Sequence, residues 1–152
     1  MSIRVYADTS VFGGVFDEEF AGPSKEFFQE VRGGRFALVT SAVVQAELEP
    51  APEEVRMFFK ETLDVSEVTE VTAEVLVLRD AYLRAGIVGA KYTDDALHVA
   101  LASVSGCRVI VSWNFRHIVH FEKIPKYNAV NVLHGHAALG IYSPTEVIRY
   151  ED

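Results

Sequence analysis

Apolar and polar positions along this chain alternate between two periods. Ile3, Val5 and Ala7 alternate with Arg4 and Tyr6, which predicts a strand ending at Asp8. Pro23 to Arg32 has the pattern of a helix, stopped by Gly33 and Gly34. Phe36 to Thr40 is a second predicted strand, and Ser41 is placed to cap a helix from Ala42 to about Leu48. Pro52 suits the first position of a further helix reaching about Leu63. Val65 to Val71 alternates like a short strand, and Thr72 to Ala85 predicts a long helix ended by Gly86. Asp94 to Ser105 is helical and apolar nearly all round, so it is expected to be buried. Val109 to Ser112 is a third clear strand. From Pro125 the pattern is mixed, with Ser143-Pro144-Thr145-Glu146 as a turn into a last short segment.

Strands that alternate with helices favour an α/β fold, a three-layer sandwich with a central parallel sheet covered on both faces. Ligands of such sheets bind beyond the carboxyl ends of the strands. The residues just after each strand are therefore the first to inspect. No repeat, low-complexity tract or linker interrupts the pattern, and a single domain over residues 1–152 is expected.

Composition narrows the class. With 49% hydrophobic residues the chain is globular, and its apolar runs are far too short to span a membrane. The opening MSIRVYADTS has no signal-peptide pattern. A lone cysteine, Cys107, allows no internal disulfide and no cysteine-based zinc cluster, which fits a reducing cytoplasm. The formal net charge of −8 argues against nucleic acid as a partner. The charge is uneven, however. Arg84 to Lys126 holds six basic residues and three acids, net +3, leaving net −11 elsewhere. Chance patterning of a solvated surface and a basic rim beside an acidic site are both open readings.

The acids carry the chemistry. Asp8 follows the first strand, where a turn or cap role is the ordinary one. Glu47 shares the helical face of Val43 and Val44, and a buried carboxylate there needs a salt bridge or a metal. Asp94 and Asp95 open the buried helix, and one of them is explained as a cap at the positive end of the helix dipole. Asn114 follows the third clear strand, as turn residues often do. Together these residues put oxygen ligands after two strands and on two helices, the ligand chemistry of hard cations such as Mg²⁺ and Mn²⁺.

Val5 to Ser10, Ser41 to Leu48, Thr93 to Ala102 and Val109 to His117 resemble the sequence blocks of PIN domains, most closely the small VapC-like kind found in toxin–antitoxin pairs. By that resemblance Asp8, Glu47 and Asp95 match the family's acids, Asp95 rather than Asp94 because it directly precedes Ala96. Asn114 stands where the family usually has a further Asp, so this chain brings one carboxylate fewer. The resemblance implies an endoribonuclease that uses Mg²⁺ or Mn²⁺ to cut single-stranded RNA, an antitoxin protein as partner, and a homodimer. Helices between Pro23 and Leu63, carrying Phe27, Phe28, Met57, Phe58 and Phe59, would contribute to the dimer. Asp8, Glu47 and Asp95 would hold metal directly or through water, with Asn114 offering a neutral oxygen. Ser10, Asp94 and Ser112 would support the site from behind.

Other residues have two readings each. His98 either hydrogen-bonds near the site or is a satisfied core histidine, and the latter is the stronger expectation. His134 and His136 are expected in a loop or exposed helix. Trp113 and Tyr92 stack on RNA bases or pack, while Phe115 is expected in the core. Arg116, Lys91, Lys123 and Lys126 meet phosphates or are merely solvated. Two rival functions are set against the nuclease. A haloacid-dehalogenase-type phosphotransferase wants a second Asp where Ser10 stands. A PIN-like binding module, weak or inactive in catalysis, would act through protein or RNA contacts.

Overall fold

β1 (Ile3–Ala7) is the centre of the architecture, and its composition explains why: Val5, Tyr6 and Ala7 are all fully buried. A strand covered on both faces cannot keep a polar side, so the expected outward position of Tyr6 lies inside. The computed structural model describes residues 2–150. In it β1 pairs in parallel with β2 (Phe36–Ser41) on one side and with β4 (Val109–Val111) on the other. β3 (Ser66–Thr69) extends the sheet beyond β2, and β5 (Gly140–Tyr142) extends it beyond β4. The five strands are all parallel, in the order β3-β2-β1-β4-β5.

Right-handed crossovers then dictate the layers. The path from β1 through β2 to β3 runs one way across the sheet. It carries α1 (Thr9–Gly14), α2 (Ala21–Arg32), α3 (Ala42–Leu48) and α4 (Glu53–Thr62), which pack on one another. The return to β4 and β5 carries α5 (Ala73–Arg84), α6 (Thr93–Val104) and α7 (Ile124–Leu133), which pack together on the other face. α8 (Pro144–Val147) closes against α2. The expected three-layer sandwich is therefore present. The strand order reverses between β1 and β4, and this switch point is where such sheets open a crevice.

Local signals behave as their chemistry requires. Ser41 accepts the Val44 N–H at the start of α3, and Thr72 accepts the Val75 N–H at the start of α5. Every residue of α6 from Ala96 to Ser103 is buried, as its all-round apolar pattern predicts. Differences lie in short elements. α1 is a helix that the sequence pattern misses, because two glycines sit in its six residues. The strand expected over Val65–Val71 is shortened to β3, since Leu63–Val65 winds as a 3-10 turn. The mixed C-terminal region contains α7 and β5, and Ser143 to Glu146 opens α8 through a capping box. No helix among the described residues is long and apolar enough to cross a membrane.

Candidate functional site

At the switch point, the chain turns from β1 into α1 at Asp8. This residue is the N-cap of α1 and is only 4% exposed. Its Oδ1 accepts from the backbone N–H of Ser10 at 3.2 Å and from the Ser10 hydroxyl at 2.6 Å. Its Oδ2 accepts from the Ser112 hydroxyl at 2.6 Å. Burial raises the Asp8 pKa, opposed by the charge on His98 and by the two serine hydroxyls. Ser10 and Ser112 thus hold the two oxygens of the acid. Both also organise the turn after β4: the Ser10 hydroxyl oxygen accepts from Trp113 N–H at 2.9 Å, and the Ser112 oxygen accepts from Asn114 N–H at 2.9 Å.

Glu47 is placed differently from its helical pattern. The side chain is 33% exposed rather than buried, at the rim of α3. Its Oε1 accepts from the Thr9 hydroxyl at 2.7 Å and from His98 Nε2 at 2.5 Å. Although burial opposes ionisation, these two bonds and the charge on His98 hold the Glu47 carboxyl below its ordinary value. The partner of this acid is therefore a histidine. His98 is 3% exposed and is satisfied on both nitrogens, with Nδ1 2.8 Å from the Tyr6 hydroxyl, which also meets Ser41 Oγ at 2.8 Å. It is both the satisfied core histidine that was expected and a neighbour of the site. Burial pulls the His98 pKa down, but Glu47, Asp8 and Asp95 together carry it above the ordinary 6.5. All three acids act on this one imidazole.

Asp95 lies half-buried in the first turn of α6, while Asp94 beside it is exposed. Burial raises the Asp95 pKa, and a hydrogen bond from Asn114 with the charges of His117 and His98 works against that rise. Asn114 Oδ1 already accepts the His117 N–H at 2.9 Å. The group Asn114 gives to Asp95 is therefore its amide N–H, which an aspartate lacks.

The aromatic and basic residues separate. The Trp113 indole is 9% exposed, stacked on Phe20 at 4.3 Å and donating from Nε1 to Ser24 Oγ at 2.9 Å. Its ring is core, and only its backbone touches the site. Phe115, expected in the core, is 49% exposed. Trp113 takes the packed one of its two readings, turned back toward α2, whereas Phe115 follows the turn outward. Tyr92 is half-buried, and Arg116, Lys91 and Lys126 are exposed. His134 and His136 follow α7 in a loop, with His136 3.7 Å from Glu74. Of the aromatics expected at a dimer contact, Phe27, Phe28 and Phe59 are internal. Met57 is exposed and Phe58 half-buried. Thr9, Tyr6 and His117 have roles here that no sequence pattern marked.

The donor set of Asp8, Glu47, Asp95 and the Asn114 amide is oxygen-rich, as a hard divalent cation requires. Two of its carboxyls have raised pKa values, which a nearby cation would reverse. Among the described residues no three His, Cys, Asp or Glu side chains already close around one point. The chemistry of the donors fits such an ion, and the acids line one edge of the sheet without forming a finished coordination shell.

Comparison with known proteins agrees with this geometry. The PIN domain profile matches residues 5–123. A chain in the crystal structure of VapBC2 from Rickettsia felis bound to a DNA fragment from their promoter superposes with a TM-score of 0.55 at 16% identity, over 75% of this chain and 90% of that one. A chain of FitAcB from Neisseria gonorrhoeae gives 0.59 at 12% identity, over 94% of this chain and 99% of that one. The chain matches none of the curated proteins at a significant level. PIN domains are generally nucleases, and those nucleases typically use divalent metals. With the acids on the carboxyl edge of a five-stranded parallel sheet and the profile spanning most of its length, this chain belongs to the PIN domain family.

Proposed function

We propose that this protein is an endoribonuclease dependent on Mg²⁺ or Mn²⁺, cutting single-stranded RNA at the carboxyl edge of β1 and β4. The observation that carries this reading is the convergence of Asp8, Glu47 and Asp95 on His98, which all three acids influence although they come from three separate elements. An ion held by Asp8, Glu47 and Asp95 would supply charge neutralisation at the phosphate and a more acidic bound water. The chain's own groups do the positioning. Ser10 and Ser112 hold the Asp8 carboxylate by both oxygens, so it presents one orientation. His98 and Thr9 hold Glu47 by Oε1. Asn114 steadies Asp95 through its amide. Arg116, Lys91 and Lys126 are exposed and are the proposed contacts for backbone phosphates, a basic rim on an otherwise acidic chain.

By analogy with the VapBC2 and FitAcB assemblies, an antitoxin protein is the proposed partner of this chain. Self-association into a homodimer belongs to the same proposal, with Met57 and Phe58 as the accessible part of the expected surface.

The experiment is a melting series in EDTA and in millimolar Mn²⁺, with cleavage of a fluorescent single-stranded RNA measured in parallel. Binding to the native state alone raises stability by mass action. Mn²⁺ should raise the melting temperature of the parent. Asp8→Asn should raise it in EDTA, because a charge disfavoured by burial is gone, and should blunt the Mn²⁺ response and abolish cleavage. A parent indifferent to Mn²⁺ would leave the binding-module reading in its place.

A further inference from the structure

We propose that His117, Lys123 and Arg116 form a subsite for a phosphodiester oxygen beside Asp95, with the His117 Nε2–H as its central donor. This rests on the reading of the protein as a nuclease and names the substrate contact within that site.

The turn after β4 fixes His117 from both ends. Its backbone N–H donates to Asn114 Oδ1 at 2.9 Å, and its carbonyl accepts from the Tyr127 hydroxyl at 2.8 Å. The imidazole is 9% exposed and lies flat against the Tyr92 ring, with centroids 3.8 Å apart and planes 28° apart. Lys123 Nζ is 3.2 Å from Nδ1. An ammonium only donates, so Nδ1 accepts and the neutral ring carries its proton on Nε2. Burial and the Lys123 charge also lower the basicity of this ring, with Asp95 opposing them, which agrees with a neutral imidazole.

That Nε2–H is buried and has no hydrogen-bond partner among the described residues. A buried donor left unmade costs about 1–3 kcal/mol, so this one calls for an occupant. Its surroundings describe the user. The Lys123 ammonium stands on the same ring, and the Arg116 guanidinium lies 5.9 Å from the centre of the Tyr92 ring. An unmade donor on a ring that feels two nearby cations matches an anionic oxygen better than a water or a carbonyl. The placement beside Asp95 matches the phosphate that the acids address.

The test uses the full chain in EDTA with two probes, a 2′-O-methyl single-stranded oligoribonucleotide and inorganic phosphate. The side-chain nitrogen resonances of His117 are followed by long-range ¹H–¹⁵N NMR. Both probes should move the Nε2 resonance. His117→Phe, which keeps a ring for Tyr92 and deletes the donor, should weaken oligonucleotide binding about tenfold, the loss of one hydrogen bond to a charged group. Lys123→Met, at a half-buried surface position, provides a second variant should His117→Phe fold poorly, and should weaken binding in the same direction. An Nε2 resonance unmoved by either probe overturns the subsite, even if the parent cleaves RNA. Movement with inorganic phosphate alone overturns its assignment to a polynucleotide. Movement with both probes in a parent that cleaves no RNA sustains the subsite and removes the nuclease reading.

Discussion

Ser112 donates its hydroxyl proton to Asp8 across 2.6 Å, although the two residues are 104 positions apart in the chain. The bond joins the ends of the two strands that flank the switch point, so it is both a structural tie and the clamp on the central acid. Ser112→Ala removes it and also the acceptor of the Asn114 N–H. A hydrogen bond to a charged group is worth about 1.5–3 kcal/mol, and urea denaturation should show a loss in that range. A loss near zero would mean that Ser10 alone suffices to hold Asp8.

His98 makes stability depend on pH. Its folded pKa lies above the ordinary 6.5, so its contribution is fully present below 6.5 and is lost as pH rises through the folded value. The raised pKa values of Asp8 and Asp95 act in the same direction, from 3.8 upward. In EDTA the melting temperature of the parent should therefore fall as pH is raised from 6.5. His98→Gln should flatten that part of the curve. A parent and variant with parallel curves above pH 6.5 would remove His98 as the source.

Trp113 and Phe115 separate packing from binding. Phe115→Ala should leave the melting temperature almost unchanged, since nearly half of the side chain is in solvent. It should weaken binding of single-stranded RNA by about 1–3 kcal/mol if a base stacks there. Equal affinity of parent and variant in a filter-binding titration would place the bases elsewhere.

Gly14 meets the buried Trp113 directly. A Cβ on Gly14 would come to 2.6 Å from Ser24 Oγ and 2.7 Å from Trp113 Nε1. Overpacking of this kind costs about 1–3 kcal/mol. Gly14→Ala should lower stability by that amount and shift the fluorescence of the only tryptophan to the red as its indole is pushed toward solvent. An unshifted spectrum with full stability would mean that α1 moves as a body to make room.

The elements that could be read in advance were those with a periodic pattern and a chemical boundary. β1 and β2 have runs of apolar residues, α3 and α5 have hydroxyl caps, and α6 is apolar on every side. α1 and β5 escaped because six residues with two glycines, or three residues alone, leave no period to detect. The acids were legible because a carboxylate after a strand or on an apolar face is out of place. Their partners were not. Thr9 reaches Glu47 over 38 positions, and Tyr6 reaches His98 over 92. Such pairs exist only once the sheet has assembled, and no local pattern encodes them. His117 was hidden for the same reason, since nothing near it in the chain announces that Nε2 is left without an acceptor.

The strand order also sets when the molecule comes into being during synthesis. β1 is made first, yet it lies in the middle of the sheet and gains its second neighbour only when residues 109–111 emerge. Until then Asp8 has no Ser112, the buried edge of its strand is open, and α6 has nothing complete to cover. Parallel pairing across so much chain is slow and non-local. Asp8 therefore receives the clamp of Ser112 only after most of the chain has been made.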